Sequence, residues 1–138
     1  MLTDGAGIPL AVAVDGANRP DMKMLATTLQ ATMAPRPAMT PEAAQHLCLD
    51  AGYDYAEVHQ LLADWGFTAH IRPRNQEAQE KKCIPGYRAR RWVVERSHSW
   101  LNRFRRLLIR WEKKVENFLA MLHFACAWIT FRAAGVFG

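Results

Sequence analysis

The chain has 138 residues, half of them hydrophobic, which suits one compact domain and excludes wholesale disorder. Its formal charge is +5, from eighteen basic and thirteen acidic side chains, a balance that favours a polyanionic partner. Cys48, Cys83 and Cys126 are odd in number, widely spaced and without a C-x-x-C pair, which argues against a disulfide framework or zinc site and for a reducing cytoplasm.

In chain order, Asp4-Gly5-Ala6-Gly7 signals a turn, and the apolar run at residues 8–14 follows it. Together with the stub Met1-Leu2-Thr3 they predict a hairpin. After a loop at Asp15-Gly16-Ala17-Asn18, Pro20 suits the first turn of a helix carrying Met22, Leu25, Leu29 and Met33 at helical spacing. Thr40-Pro41-Glu42 reads as a second helix start, opening a short element. His46-Leu47-Cys48-Leu49 reads as a short buried strand that ends at Asp50. Asp54 is placed to cap a helix with Val58, Leu61, Leu62 and Trp65 on its apolar positions and Gly66 as its stop. Residues 67–71 alternate as a strand. Strand, helix and strand in close succession predict a βαβ unit with parallel strands.

Residues 73–86 are polar and charged, without periodicity, and read as a linker or mobile loop. A long helical stretch follows, in which Val94, Leu101, Phe104, Leu108 and Trp111 mark one buried stripe. The last helix, from about Val115 to Phe131, is nearly apolar all round, which predicts burial or pairing with another chain. Its apolar run falls short of the ~18 residues that a membrane span needs. No basic leader precedes an apolar run at the N-terminus, so neither a membrane segment nor a targeting signal is read.

Charge divides the chain. Residues 1–71 sum to −5 and residues 72–138 to +10, with arginines dense between Arg88 and Arg110. Arginine's planar fork suits phosphate. Trp92, Trp100, Phe104 and Trp111 are interleaved with these arginines, a pattern that fits nucleic acid along a face, although the tryptophans serve a core equally well. Within this block Glu95 is the one acid. Arg91, Glu95, His98 and Asn102 fall on one polar strip of a helix. Asp50, at the end of its strand, stands where open α/β sheets gather ligands. Either carboxylate can hold a divalent cation. Each also has a plainer reading: Asp50 as a helix cap, and Glu95 as an i, i+4 salt bridge with Arg91 worth ~0.3–0.5 kcal/mol. His46, His59, His70 and His123 are scattered and read as structural. No Ser–His–Asp order, P-loop or G-x-G-x-x-G is present.

The segment from Arg91 through Glu95 to Leu107, RWVVERSHSWLNRFRRL, resembles the C-terminal signature of bacterial insertion-sequence transposases of the DDE class, in the group of insertion sequence five. Asp15-Gly16-Ala17-Asn18-Arg19-Pro20-Asp21 looks like that group's loop before its first helix. Leu47-Cys48-Leu49-Asp50-Ala51-Gly52-Tyr53-Asp54 looks like its second-aspartate strand. The resemblance implies an α/β, RNase H-like mixed sheet flanked by helices, with residues 1–138 as one partial catalytic domain. It implies that Asp50 and Glu95 are catalytic and metal-binding, in a two-metal Mg²⁺ site that transfers phosphoryl groups in line. Arg91 matches the family's arginine; Arg96, Arg103 and Arg106 are expected on DNA. The basic residue expected seven places after the glutamate is Asn102 here, with Arg103 next, and Tyr87 stands four places before Arg91 instead of three.

The family's first aspartate lies on a strand upstream of the hairpin, where this chain begins. Asp4 sits in the turn and Asp15 in a loop, so neither replaces it. The expectation is a chain inactive alone, either the remnant of a degraded element or a second reading frame joined to an upstream one by frameshifting. The expected partners are double-stranded DNA, at element ends and target, and a second copy or a full-length transposase. The expected place is the bacterial cytoplasm, at the nucleoid. The rival is an inactive transposase-derived protein that binds DNA or another transposase chain.

Overall fold

The computed structural model describes residues 1–16, 18–40, 42–71 and 92–135. It divides into two compact units: residues 1–16, 27–34 and 92–138 form one, and residues 17–26 and 35–91 form the other.

The first unit opens with the expected hairpin, β1 (Leu2–Thr3) antiparallel to β2 (Pro9–Ala11). Asp4 makes the turn. Its carboxylate accepts the backbone N–H groups of Ala6 and Ile8 at 2.9 and 2.8 Å, and Gly7 follows at φ 83°, a conformation that suits a residue without Cβ. A helix at Trp92–Leu101, a short one at Arg105–Leu108 and a long one at Val115–Ala133 complete the unit; in chain order they are α3, α4 and α5. The core is Leu101, Leu122 and Ala125, packed against Met1, Val12, Phe104, Leu107, Phe118, Cys126 and Ile129.

The expected long helix is therefore interrupted. α3 ends at Leu101, and the backbone N–H groups of Arg103 and Phe104 bond to Trp100 and Leu101 in tight turns. Beyond α4 the chain turns at Arg110, with φ 39°. The expected buried stripe holds at Leu101, which is buried, and at Phe104, which packs against the core, but is otherwise displaced: Val93 and Ser97 are buried, whereas Val94 and Leu108 are exposed and Trp111 is 64% exposed. Hydropathy missed this face because its centre is a serine. Ser97 is fully buried, and its hydroxyl lies 2.5 Å from the Gly7 carbonyl and 3.1 Å from that of Val93, which satisfies it. On α5 only Leu122 and Ala125 are buried, and Phe124, Trp128 and Phe131 remain exposed in this chain.

The second unit is the expected βαβ: β3 (Gln45–Leu49), α2 (Ala56–Asp64) and β4 (Phe67–Ile71). The strands are parallel and in register from Gln45 opposite Phe67 to Leu49 opposite Ile71. Val58 and Leu62 are the buried face of α2. β3 is less buried than expected, since Leu47 alone is fully covered, Leu49 is half-buried, and His46 and Cys48 are exposed. The cap of α2 is Tyr55 without a side-chain bond; Asp54 instead meets His59 at 3.0 Å. Gly66 stops the helix with φ 73°. Thr40 opens no helix but closes a turn, accepting the Ala43 N–H on both its backbone and side-chain oxygens.

The remaining helix, α1 (Asp21–Gln30), buries Leu25 and Leu29. It stops before Met33, which is 92% exposed, so the expected apolar spacing runs one turn too far. The expected mixture of strand directions is present, but among the described residues it is split into two two-stranded sheets, because no described strand pairs with both. The expected linker at residues 73–86 lies outside the described residues.

Candidate nucleic-acid and metal site

Asp50 follows the last residue of β3, at the carboxyl end of a parallel strand. Its backbone is extended, and its Oδ1 accepts the Gly52 N–H at 2.9 Å, which caps the 3-10 turn Ala51–Tyr53. The cap fixes the carboxylate and leaves Oδ2 without a hydrogen bond among the described residues. A Cβ on Gly52 would lie 3.0 Å from Oδ1, so glycine at 52 makes room for this arrangement. The plainer reading of Asp50 as a cap thus holds, although for the 3-10 turn and not for α2.

Burial raises the pKa of the Tyr53 phenol, and the charges of Asp21 and Asp50 raise it further. The same phenol therefore feels two carboxylates. Asp21 was legible only as part of the segment before α1. Nothing in its spacing from Asp50 signals that both act on Tyr53.

Glu95 lies in the first turn of α3, where a carboxylate is favoured by the helix dipole. Its side chain is exposed and makes no hydrogen bond or ion pair among the described residues. Arg91, its expected partner, lies outside them. The other three arginines differ sharply in how far they are committed. Arg96 donates through Nη2 to the Ala6 carbonyl and stacks its guanidinium 4.5 Å from the Trp92 ring and 5.2 Å from the Trp100 ring, holding α3 to the hairpin turn. Arg106 is paired with Glu112 at 2.9 Å. Arg103 is exposed and has neither kind of tie among the described residues.

Asp50 belongs to the βαβ unit, and Glu95, Arg96, Arg103 and Arg106 belong to the other. Among the described residues no three His, Cys, Asp or Glu side chains are gathered as for a metal ion. Hard carboxylate oxygens are nevertheless the donors that Mg²⁺ takes, commonly one or two from the protein with water for the rest.

Sequence reading also missed an imidazole pair. His46 Nδ1 and His70 Nε2 are 2.8 Å apart on the exposed face of β3 and β4, where Cys48 stands opposite His70. Period-two counting along both strands places the three on one face, but the pairing register needed the fold. Cys48 and Cys126 are free thiols. No helix among the described residues is long and apolar enough to cross a membrane.

The family model for the transposase DDE domain matches residues 47–132. That span takes in Asp50, Arg91, Glu95, Arg96, Arg103 and Arg106. A protein of Burkholderia cepacia assigned as the transposase for insertion sequence element IS402 is 34% identical over 142 aligned positions, which cover 97% of this chain. The chain spans 64% of the length of that relative. No solved structure matches the chain. A family match over more than half of the chain, joined to an aspartate at a strand end and a glutamate on a helix within an arginine-rich stretch in that order, places the chain among the DDE transposases of bacterial insertion sequences.

Proposed function

We propose that the chain works in DNA transposition, as the catalytic part of a transposase of the insertion sequence five group, with an RNase H-like domain spanning residues 1–138. One observation carries the reading: the DDE-domain match covers both an aspartate closing a parallel strand and a glutamate in the first turn of a helix that lies within an arginine-rich stretch of sequence. The partner is double-stranded DNA, at element ends and target, in the bacterial cytoplasm at the nucleoid.

Asp50 and Glu95 hold Mg²⁺ through carboxylate oxygens, Asp50 with its orientation set by the Gly52 N–H. When bound, the ions supply activation of a water or 3′-hydroxyl and stabilisation of the leaving oxygen in an in-line phosphoryl transfer. Arg91 and Arg103 meet backbone phosphates directly. Arg106 reaches them on release from Glu112, and Arg96 contributes its charge while it holds the hairpin.

The test is Mg²⁺-dependent cleavage of duplex DNA carrying the ends of the chain's own element, by a parent protein that joins this chain to a strand supplying the family's first aspartate. Asp50→Asn and Glu95→Gln are each expected to lose cleavage by roughly a hundredfold or more while binding DNA as the parent does. A variant that cleaves like the parent removes that acid from the site. The exposed Phe124 and Phe131 of α5 favour a second reading, a non-catalytic protein that pairs with another transposase chain. DNA binding with no cleavage even when the chain is joined to a strand supplying the first aspartate, together with a self-associated state in sedimentation, supports that reading.

A further inference from the structure

A groove of about 420 Å³ opens beside α5 in the first unit, a volume within the range of sites for small ligands. Ile8, Trp100, Phe104 and Trp128 line it together with Arg103 and Arg132, and no acidic side chain does. Neither Arg103 nor Arg132 has an ion pair or a side-chain hydrogen bond among the described residues, in contrast to Arg96 and Arg106. The aromatic walls are braced. Arg96 stacks 5.2 Å from the Trp100 ring, and Trp128 packs against Phe131 at 6.1 Å between centroids while staying half exposed.

The lining selects its ligand by chemistry. An apolar segment would suit the indoles but bury two unpaired guanidinium groups, at a cost in desolvation. A bare phosphate or an acidic peptide would satisfy the arginines and leave the aromatic walls wet. A nucleotide answers both demands, with a base against the rings and a phosphate on the cations.

We infer that the groove takes an unpaired nucleotide of a DNA strand, its base against Trp100 and Trp128 and its phosphate on Arg103 and Arg132. The inference rests on the DNA-binding reading above and adds a preference to it. A base inside a duplex keeps its faces stacked on its neighbours, so only an unpaired or extruded one can present a face to the indoles. The groove is open to solvent and not a closed cavity, which lets a continuous strand enter and leave.

The experiment compares a blunt duplex with the same duplex bearing a short unpaired overhang that carries the fluorescent base aminopurine, both titrated with the full chain. The overhang is expected to bind roughly tenfold tighter, with its fluorescence quenched on binding. Trp128→Ala is expected to abolish the preference and leave blunt-duplex affinity at the parent's value. Arg132→Gln, a surface exchange confirmed as folded by circular dichroism, is expected to do the same. Equal affinity for both DNAs, or a preference that survives both substitutions, overturns the groove assignment and leaves duplex binding standing. Free deoxyadenosine monophosphate binding as tightly as the overhang overturns the assignment to a strand. Failure of both DNAs to bind overturns the DNA-binding reading itself, and the inference with it.

Discussion

His98 sits one residue past the buried Ser97 on α3, and loss of solvent holds its imidazole below the ordinary value, with the N-terminal ammonium acting the same way. The unfolded chain therefore takes up a proton at a pH where the folded chain does not. The stability linked to this group is complete above the unfolded pKa and is lost as pH falls through the folded one. His98→Gln is predicted to reduce the loss of stability between about pH 7 and 5, read by urea denaturation across that range. An unchanged acid-side slope would mean that His98 does not carry it. At this scale the sequence was most legible where one residue makes its own local bonds. Asp4 as turn-former, Gly66 as helix stop and Asp50 at a strand end are all readable from neighbours alone. Ser97, Arg96 and the His46–His70 pair were not, because each bonds to a group far along the chain: Gly7, Ala6 and the opposite strand.

The βαβ element was read almost to the residue, because its period-two strands and helical spacing act over short distances. α3 and α4 were misread as one helix, because no glycine or proline marks the break and periodicity continues through Asn102 and Arg103. Tertiary bonds decide such cases, and Arg36 is the clearest example in the βαβ unit. Its Nε and Nη2 donate to Gln45 Oε1 at 2.9 and 2.6 Å, its Nη1 donates to the Trp65 carbonyl at 2.9 Å, and its guanidinium lies 4.0 Å over the Phe67 ring. One planar fork thus ties the start of β3 to the turn before β4. Arg36→Lys keeps the charge and loses the fork, and is predicted to destabilise the fold by about 1–2 kcal/mol in urea denaturation. A change within a few tenths of a kcal/mol would show that charge alone suffices there.

For the molecule as a whole, the family was legible in one continuous segment around Glu95, and a match over residues 47–132 supports it. The basic charge was legible in part: composition counts arginines, but only the fold shows that Arg96 and Arg106 are tied within the chain while, among the described residues, Arg103 and Arg132 are not. The proposed activity requires Asp50 and Glu95 to serve one divalent-metal site. Titration of the isotope-labelled chain with Mn²⁺, followed by paramagnetic broadening of backbone amides, tests that directly. Amides around Asp50 and around Glu95 are predicted to broaden together at the same Mn²⁺ concentrations, and Asp50→Asn to relieve the broadening at both. Broadening at one acid alone, or broadening around Glu95 that persists unchanged in Asp50→Asn, would contradict it.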